Sequence, residues 1–306
     1  MPETPKPISK TAVVIITYES GDCVQKLLRG LDSACNDGLT VYWFDNGSST
    51  AFLTAYDSLL AATPPSYKVK KIWRAENLGY ASAVNLALGH VTESYTLLVN
   101  PDVEVTGAWV AHVRAMLEKT GAQIGTSQAV LPDGARDLNL APFPGLTKNL
   151  VGSTFVPKSI NRVVRYYPDF SCIMMKTDFL KRYLPLRQFF LYGEDVEFMQ
   201  RVRCENPLVV YDTSVTYLHD RSTSSAQNRA SAHKACRIVY ADALLACEKA
   251  SASYRLAFIA TAIAGSFLRV LISPRNKKKR FFAKEWTLQV GRIISARIYR
   301  EDMHVD

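Results

Sequence analysis

Leu97-Leu98-Val99-Asn100-Pro101-Asp102-Val103-Glu104-Val105 is the stretch that decides how the rest of the chain is read. Residues 95–99 form a short apolar run bounded by turn chemistry, which predicts a buried strand. Pro101 has no N–H and fixes its own φ, so the ladder stops there and Asp102 is delivered to the strand's carboxyl end. Open α/β sheets bind their ligands at that end. A carboxylate there suits a divalent cation holding a diphosphate, because Mg²⁺ prefers hard oxygen ligands shared with substrate phosphates. Taken alone, the stretch reads better as a strand and an Asn-Pro-Asp turn with no chemistry, so the surrounding pattern has to overturn that.

Upstream, Thr11–Thr17 (TAVVIIT) is dense in β-branched residues, as a buried parallel strand is. Cys23, Val24, Leu27, Leu28 and Leu31 follow at helical spacing. Residues 39–44 (LTVYWF) predict a second strand ending in Asp45-Asn46-Gly47-Ser48-Ser49, a turn that offers a helix cap. Phe52, Leu53, Tyr56, Leu59 and Leu60 mark the next helix, residues 69–73 a weaker third strand, and residues 81–88 a short helix. The order βαβαβαβ predicts an α/β fold with a parallel sheet and helices on both faces. Past a helix over 107–119 and a strand over 124–130, residues 131–168 are rich in Pro and Gly and read as a long loop. A strand over 170–176, a helix capped by Thr177 or Asp178, a helix from Glu194 to about Cys204 and two short strands ending near His219 complete this part.

The composition, 306 residues with 48% hydrophobic and 21% charged, is that of an ordinary globular protein of one or two domains. The net charge of +9 is uneven: from Arg221 onward there are 16 Lys+Arg against 6 Asp+Glu, and before it 21 against 22. A neutral body with a basic tail points to a partner for the tail. Three apolar stripes at helical spacing occupy the tail, the second from Phe258 to Leu271 and the third through Trp286, Val290, Ile293 and Ile294. Arg269 interrupts the second, which leaves it too short to span a bilayer. Lys277, Lys278, Lys279 and Arg280 follow it, then Phe281 and Phe282, a combination suited to an interfacial position on anionic lipid. The alternative is packing on the body or on a second copy as a homodimer. Nucleic acid fits less well, since no aromatic platform accompanies the charge. The six cysteines show no C-x-x-C and no zinc spacing, which reads as reduced thiols in a cytosolic compartment. Residues 1–10 lack the apolar stretch of a signal peptide and read as a flexible N-terminus.

Several residues are candidates for chemistry. Asp45, at a strand end, can accept the imide N–H of uracil or thymine or equally satisfy its own turn. Glu76-Asn77-Leu78-Gly79-Tyr80-Ala81-Ser82-Ala83-Val84-Asn85 opens a helix with small residues over which a bulky ligand can approach the backbone, and a helix start favours a diphosphate. It is neither G-x-G-x-x-G nor a P-loop. Glu194 and Asp195 open a helix, where they complement its dipole or, facing a hydroxyl, act as general base. His219 is structural unless it faces Asp102, in which case a neutral imidazole would complete a metal site.

In combination, Val14-Ile15-Ile16-Thr17-Tyr18, Phe44-Asp45-Asn46-Gly47-Ser48, Asn77-Leu78-Gly79-Tyr80-Ala81, Leu98-Val99-Asn100-Pro101-Asp102 and Tyr192-Gly193-Glu194-Asp195 resemble glycosyltransferase family 2 in identity and order. The Asn-Pro-Asp form resembles its bacterial rhamnosyltransferase-like branch. The resemblance implies a GT-A fold over residues 11–225, with 226–306 as a basic, C-terminal helical extension. It implies that Thr17, Tyr18, Asp45, Asn77, Gly79, Asn85, Asn100 and Asp102 bind the nucleotide sugar, that Asp102 and His219 hold Mg²⁺ or Mn²⁺, and that Asp195, with Glu194 beside it, is the base. The expected function is inverting transfer of a sugar, first among them L-rhamnose from dTDP-L-rhamnose, to a glycan or polyprenyl-diphosphate-linked acceptor in O-antigen-like polysaccharide synthesis. The enzyme would lie in the cytoplasm on the inner face of the membrane. A UDP-hexose or UDP-galactofuranose donor, and a catalytically silent sugar-nucleotide or glycan binder, are the alternatives. Two positions depart from the family pattern: Glu19 follows Thr-Tyr where many relatives have Asn, and Asn100-Pro101-Asp102 has one carboxylate fewer than Asp-x-Asp.

Overall fold

The computed structural model describes residues 10–21, 23–32, 38–151, 157–187, 189–220, 241, 245–246 and 250–272. In chain order these form β1 (Thr11–Thr17), α1 (Cys23–Leu31), β2 (Leu39–Asn46), α2 (Thr50–Ala62), β3 (Lys68–Arg74), α3 (Tyr80–Gly89), β4 (Tyr95–Val99), β5 (Val103–Glu104) and α4 (Gly107–Thr120). There follow β6 (Ile124–Val130), β7 (Leu140–Pro142), α5 (Leu146–Val151), β8 (Tyr166–Pro168), β9 (Cys172–Lys176), α6 (Thr177–Arg182), α7 (Glu194–Val202), β10 (Val209–His219) and α8 (Ala252–Ile272).

One eight-stranded sheet runs in the order β3-β2-β1-β4-β9-β6-β10-β5. The first four strands are parallel, and β9 inserts antiparallel between β4 and β6. Every residue of β1 is buried, and alternate residues feed two cores. Val14 and Ile16 join Tyr42, Phe44 and the inner face of α3, whereas Val13 and Ile15 join Trp43, Leu27, Leu31 and Leu97. A strand buried on both faces has no polar alternation, which is why Thr11–Thr17 reads as a continuous apolar run. The chain lays β1, β2 and β3 outward and then returns to place β4 on the free side of β1. That reversal opens a crevice beyond the carboxyl ends of β1 and β4, the position at which such sheets bind ligands.

One local expectation is extended and three are corrected. The ladder of β4 does stop before Pro101, but pairing resumes at once: Glu104 and Val103 pair antiparallel with Leu218 and His219. The two short strands ending at His219 are a single strand, β10, with an irregularity between Asp212 and Thr216 where its register against β6 shifts. Thr177 does not cap α6; its hydroxyl is buried against that of Thr96 at 2.8 Å, and Lys176 occupies the cap position. Residues 131–168 contain α5 and the paired strands β7 and β8.

The helix α8 packs on the body through α5. Asn149 donates from Nδ2 to the carbonyl of Phe258 at 3.0 Å and to Thr261 Oγ1 at 3.3 Å, and Gly265 lies so close to the Asn149 carbonyl that no Cβ would fit. Cys23, Cys172 and Cys204 are free thiols. Cys35, Cys236 and Cys247, the stripe through Val239, Tyr240, Ala243 and Leu244, the basic run 277–280, Phe281, Phe282, Trp286 and the N-terminal residues 1–9 lie outside the described residues.

Candidate active site

Backbone pairing builds the first half of the site. The Asp220 N–H donates to the Asp102 carbonyl at 2.9 Å, which closes β10 onto the turn after β4 and brings His219 beside Asp102. His219 Nε2 lies 3.6 Å from Asp102 Oδ1, and its Nδ1 lies 3.0 Å from Asp137 Oδ2. All three side chains are buried. Burial alone would lower the imidazole pKa, but hydrogen bonding to Asp102 and Asp137 and the field of Asp102 outweigh it and raise it to about 9. Without a cation the imidazole holds a proton on the side where a cation would lie, and the neutral ring expected of a metal ligand would follow from displacing it. The pair does suit a cation, because Asp137 occupies Nδ1 and leaves Nε2 turned toward a carboxylate oxygen. Among the described residues there is no cluster of three or more metal-binding side chains. Asp102 and His219 would supply two ligands, and a cation here would complete its shell with diphosphate oxygens and water, as Mg²⁺ does.

Several residues expected to touch the nucleotide are engaged in holding its crevice together. Thr17 and Asp45 are fully buried. Thr17 Oγ1 donates to Asp45 Oδ2 at 2.9 Å and accepts from Trp43 Nε1, while Ser48 donates its N–H to Asp45 Oδ1 at 2.8 Å and its hydroxyl to Oδ2 at 2.7 Å. With both oxygens so occupied, Asp45 braces the turn after β2, the alternative its sequence context left open. Asn46 and Asn77 clamp the next turn: Asn46 donates to Asn77 Oδ1 at 2.9 Å and accepts the Leu78 N–H at 3.0 Å. Asn85 accepts the Leu186 N–H at 2.7 Å and donates to the Leu186 carbonyl at 3.0 Å. The small residues of α3 make room for protein rather than ligand. Ala81 and Ala83 are core, and Gly79, at φ 78°, faces Phe190 so closely that a Cβ would come within 2.5 Å of its carbonyl oxygen. Tyr18, 53% exposed, and the half-buried Asn77 and Asn100 remain at the crevice. Glu19, in the left-handed region at φ 49°, accepts the Ser49 N–H at 2.8 Å and so caps the start of α2.

The second half is the start of α7. Tyr80 N–H donates to the Phe190 carbonyl at 2.8 Å, tying the loop before α7 to α3. Tyr192 and Gly193 both adopt positive φ, 68° and 109°, before the helix begins at Glu194. Glu194 is buried, and its Oε2 has no hydrogen-bond partner among the described residues. Burial first, then the charge of Asp195, push its carboxyl up to about 8, so at neutral pH it is mostly protonated. Asp195 is half-buried and accepts the Val196 N–H through Oδ1 at 2.7 Å. The two halves share neighbours. The fields of Glu194, Asp195 and Asp169 all act on Tyr80 and, after burial, raise its pKa; the field of Asp169 also acts on His219. A cavity of about 620 Å³ lined by Arg187, Glu197, Arg201 and Tyr254 uses a different face of α7 from Asp195.

A family model described as Glycosyl transferase family 2 matches residues 12–183, more than half of the chain. The chain belongs to glycosyltransferase family 2. An N-acetylglucosaminyl-diphospho-decaprenol L-rhamnosyltransferase of Mycobacterium tuberculosis is 25% identical over 267 residues, covering 75% of this chain and 83% of that protein. Among solved structures, S. aureus TarS 1-349 is similar with a TM-score of 0.53 at 15% identity, over 95% of this chain and 93% of that one. The mannosyltransferase PcManGT from Pyrobaculum calidifontis, solved with GDP-Man and Mn²⁺, is similar with a TM-score of 0.57 at 13% identity, over 95% and 86%. The curled, mostly parallel sheet with flanking helices is the GT-A fold of these glycosyltransferases.

In this family 2 glycosyltransferase, Asp137 and Asp169 are the polar site residues that reading the sequence missed. Both come from the Pro- and Gly-rich stretch. The Leu131-Pro132-Asp133-Gly134 turn, closed by Leu131 N–H to Ala135 carbonyl at 2.8 Å, folds the chain back so that Asp137 meets His219. That turn signal was legible, whereas its partner across the sheet was not. Asp169 accepts from the N–H of Ser171, whose hydroxyl contacts Tyr217.

Proposed function

We propose that the enzyme transfers a sugar, with inversion, from a nucleotide-diphosphate donor to a lipid-linked acceptor, and that the donor is dTDP-L-rhamnose. What supports this reading is that the Asp102–His219 pair at strand ends and Asp195 at the start of α7 are linked through one neighbour, since the field of Asp169 acts on both His219 and Tyr80 and that of Asp195 acts on Tyr80. The mycobacterial relative is an L-rhamnosyltransferase acting on N-acetylglucosaminyl-diphospho-decaprenol, which supports rhamnose and a polyprenyl-diphosphate acceptor as the first pair to try.

Asp195 accepts the proton of the acceptor hydroxyl as that oxygen bonds to the anomeric carbon; the bond from that carbon to the donor diphosphate breaks, and the nucleoside diphosphate leaves with the electron pair. Glu194, protonated and buried, is unsuited to that role, so the base is assigned to Asp195. No second carboxylate is assigned as nucleophile, which makes the displacement single and inverting. Asp102 and His219 would hold the divalent cation, Mg²⁺ or Mn²⁺, and when bound it would offset the charge gathering on the leaving diphosphate. Tyr18, Asn77 and Asn100 contact the donor, with Thr17, Asp45, Gly79 and Asn85 fixing the loops that carry the contacts. The product belongs to cell-surface polysaccharide synthesis of the O-antigen kind, on the cytoplasmic face of the membrane. The test is turnover by the full chain of dTDP-L-rhamnose, UDP-glucose, UDP-galactose and UDP-galactofuranose with N-acetylglucosaminyl-diphospho-polyprenol. Release of dTDP with a rhamnosylated lipid is expected. Turnover of a UDP donor instead would replace the sugar, and turnover of none would defeat the assignment.

A further inference from the structure

One face of α8 has no protein partner among the described residues. Phe258, Ala262 and Gly265 are buried and face the body. On the opposite side Leu256, Ala260, Ile263 and Phe267 follow one another at steps of four, three and four residues, and therefore form a single stripe along the helix. Leu256 is 67% exposed, Ile263 44% and Phe267 70%; Ala264 and Leu268, exposed as well, widen the stripe. No charged side chain interrupts the stripe from Leu256 to Phe267, a length of about 16 Å at the helical rise. A helix face turned to water carries polar residues; contiguous apolar exposure of this kind marks an interaction surface.

We propose that this face lies on an anionic lipid bilayer, in the plane of its surface. Three observations select that occupant. Among the described residues no helix is long and apolar enough to cross a membrane, so an apolar stripe of this length suits lying on lipid rather than passing through it. The sequence directly after α8 is Ser273-Pro274-Arg275-Asn276-Lys277-Lys278-Lys279-Arg280, five cations with no acid, which complements anionic headgroups next to the apolar stripe. The helix is also fixed to the catalytic body by the contacts of Asn149 and Gly265, so seating its outer face would orient the crevice relative to the bilayer. That orientation matters for a lipid-linked acceptor, and the proposal rests on that reading for its purpose though not for its test.

The experiment is flotation of the full chain with phosphatidylcholine vesicles, with and without phosphatidylglycerol, at low and high salt. The wild type is expected to float with the anionic vesicles and to lose most of that binding at high salt. Ile263→Ser and Phe267→Ser, both at exposed positions, are expected to weaken it by about tenfold or more each while leaving the thermal melt and nucleotide-diphosphate binding unchanged. A wild type that fails to float, or variants that float as well as it does, overturns the proposal. So does a wild-type dimer in light scattering that Phe267→Ser converts to monomer without change in flotation, since the face would then belong to a second copy. Nucleotide-sugar turnover is measured separately, so failure of the lipid surface and failure of the transferase assignment are told apart.

Discussion

The two halves of the crevice are built by opposite means. On the cation side, Asp102 and His219 sit at the ends of paired strands, with a backbone bond between their segments and Asp137 behind the ring. On the acceptor side, Asp195 follows two residues at positive φ, beside a buried carboxyl with an unpartnered oxygen. Strand ends locked into a sheet hold a fixed geometry, as a charge placed against a diphosphate requires. A turn held by a few loop contacts, with strain and an uncompensated polar atom, is where a protein keeps reactivity at some cost in stability. On the proposed mechanism the contrast would divide labour: the sheet would hold the donor's charge balance, and the start of α7 would supply the proton acceptor.

The largest effect should come from the loop side. Asp195→Asn is expected to lower the transfer rate by about 10²–10⁴-fold, the usual loss when a general base is removed. If Glu194→Gln loses that much and Asp195→Asn does not, the carboxylates have been assigned the wrong way round. Next is the support behind the sheet side. Asp137→Ala should weaken Mn²⁺ binding in the presence of nucleoside diphosphate by about 10–100-fold, with Asp137→Asn milder because its amide oxygen still accepts from Nδ1. Electron paramagnetic resonance of free Mn²⁺ reads this without turnover, and equal affinity in all three proteins would reduce Asp137 to a packing residue.

A smaller effect tests how the halves are joined. Gly79→Ala puts a Cβ against the Phe190 backbone at a positive φ and should destabilise the fold by about 1–3 kcal/mol in urea unfolding, with donor affinity falling as the loop shifts. Wild-type stability would mean that α3 and the loop before α7 are not coupled there. A further effect is in pH. The Glu194 carboxyl, raised from 4.5 to about 8, binds its proton more tightly folded than unfolded, so it makes stability fall as pH rises across that interval. His219, raised from 6.5 to about 9, adds a fall in the same direction that starts later. Glu194→Gln should therefore flatten the profile chiefly below pH 6.5, and an unchanged slope there would remove the buried proton from the account.

Strands and helices with continuous local signals were legible in the sequence: β1 through its β-branched run, β4 through its apolar run and the Pro101 stop, α7 through its acidic start. What the sequence concealed was long-range. The smallness of Gly79 was visible, but the occupant of the space over it was not, and Phe190 takes the place a ligand was expected to have. Asp45, buried at a strand end, and Asn85, half-buried within α3, have the right chemistry for a nucleotide and direct it to Ser48, Thr17 and Leu186, because a polar side chain withdrawn from water takes the nearest partner. Asp137 lay in a stretch without periodicity, and its role exists only once β10 delivers His219 to it. Asp102 and His219, each at a strand end, do lie side by side, whereas the proton that two carboxylates keep on the metal-free ring against burial had no signal in the sequence.

The division of labour is tested most directly by calorimetric binding of nucleoside diphosphate and monophosphate, with Mn²⁺ and with excess EDTA, in wild type, Asp102→Ala and Asp195→Asn. The account predicts that Mn²⁺ strengthens diphosphate binding far more than monophosphate binding, that Asp102→Ala abolishes this gain, and that Asp195→Asn retains it in full. Diphosphate binding that is indifferent to EDTA in the wild type, or a gain lost in Asp195→Asn and kept in Asp102→Ala, would contradict it.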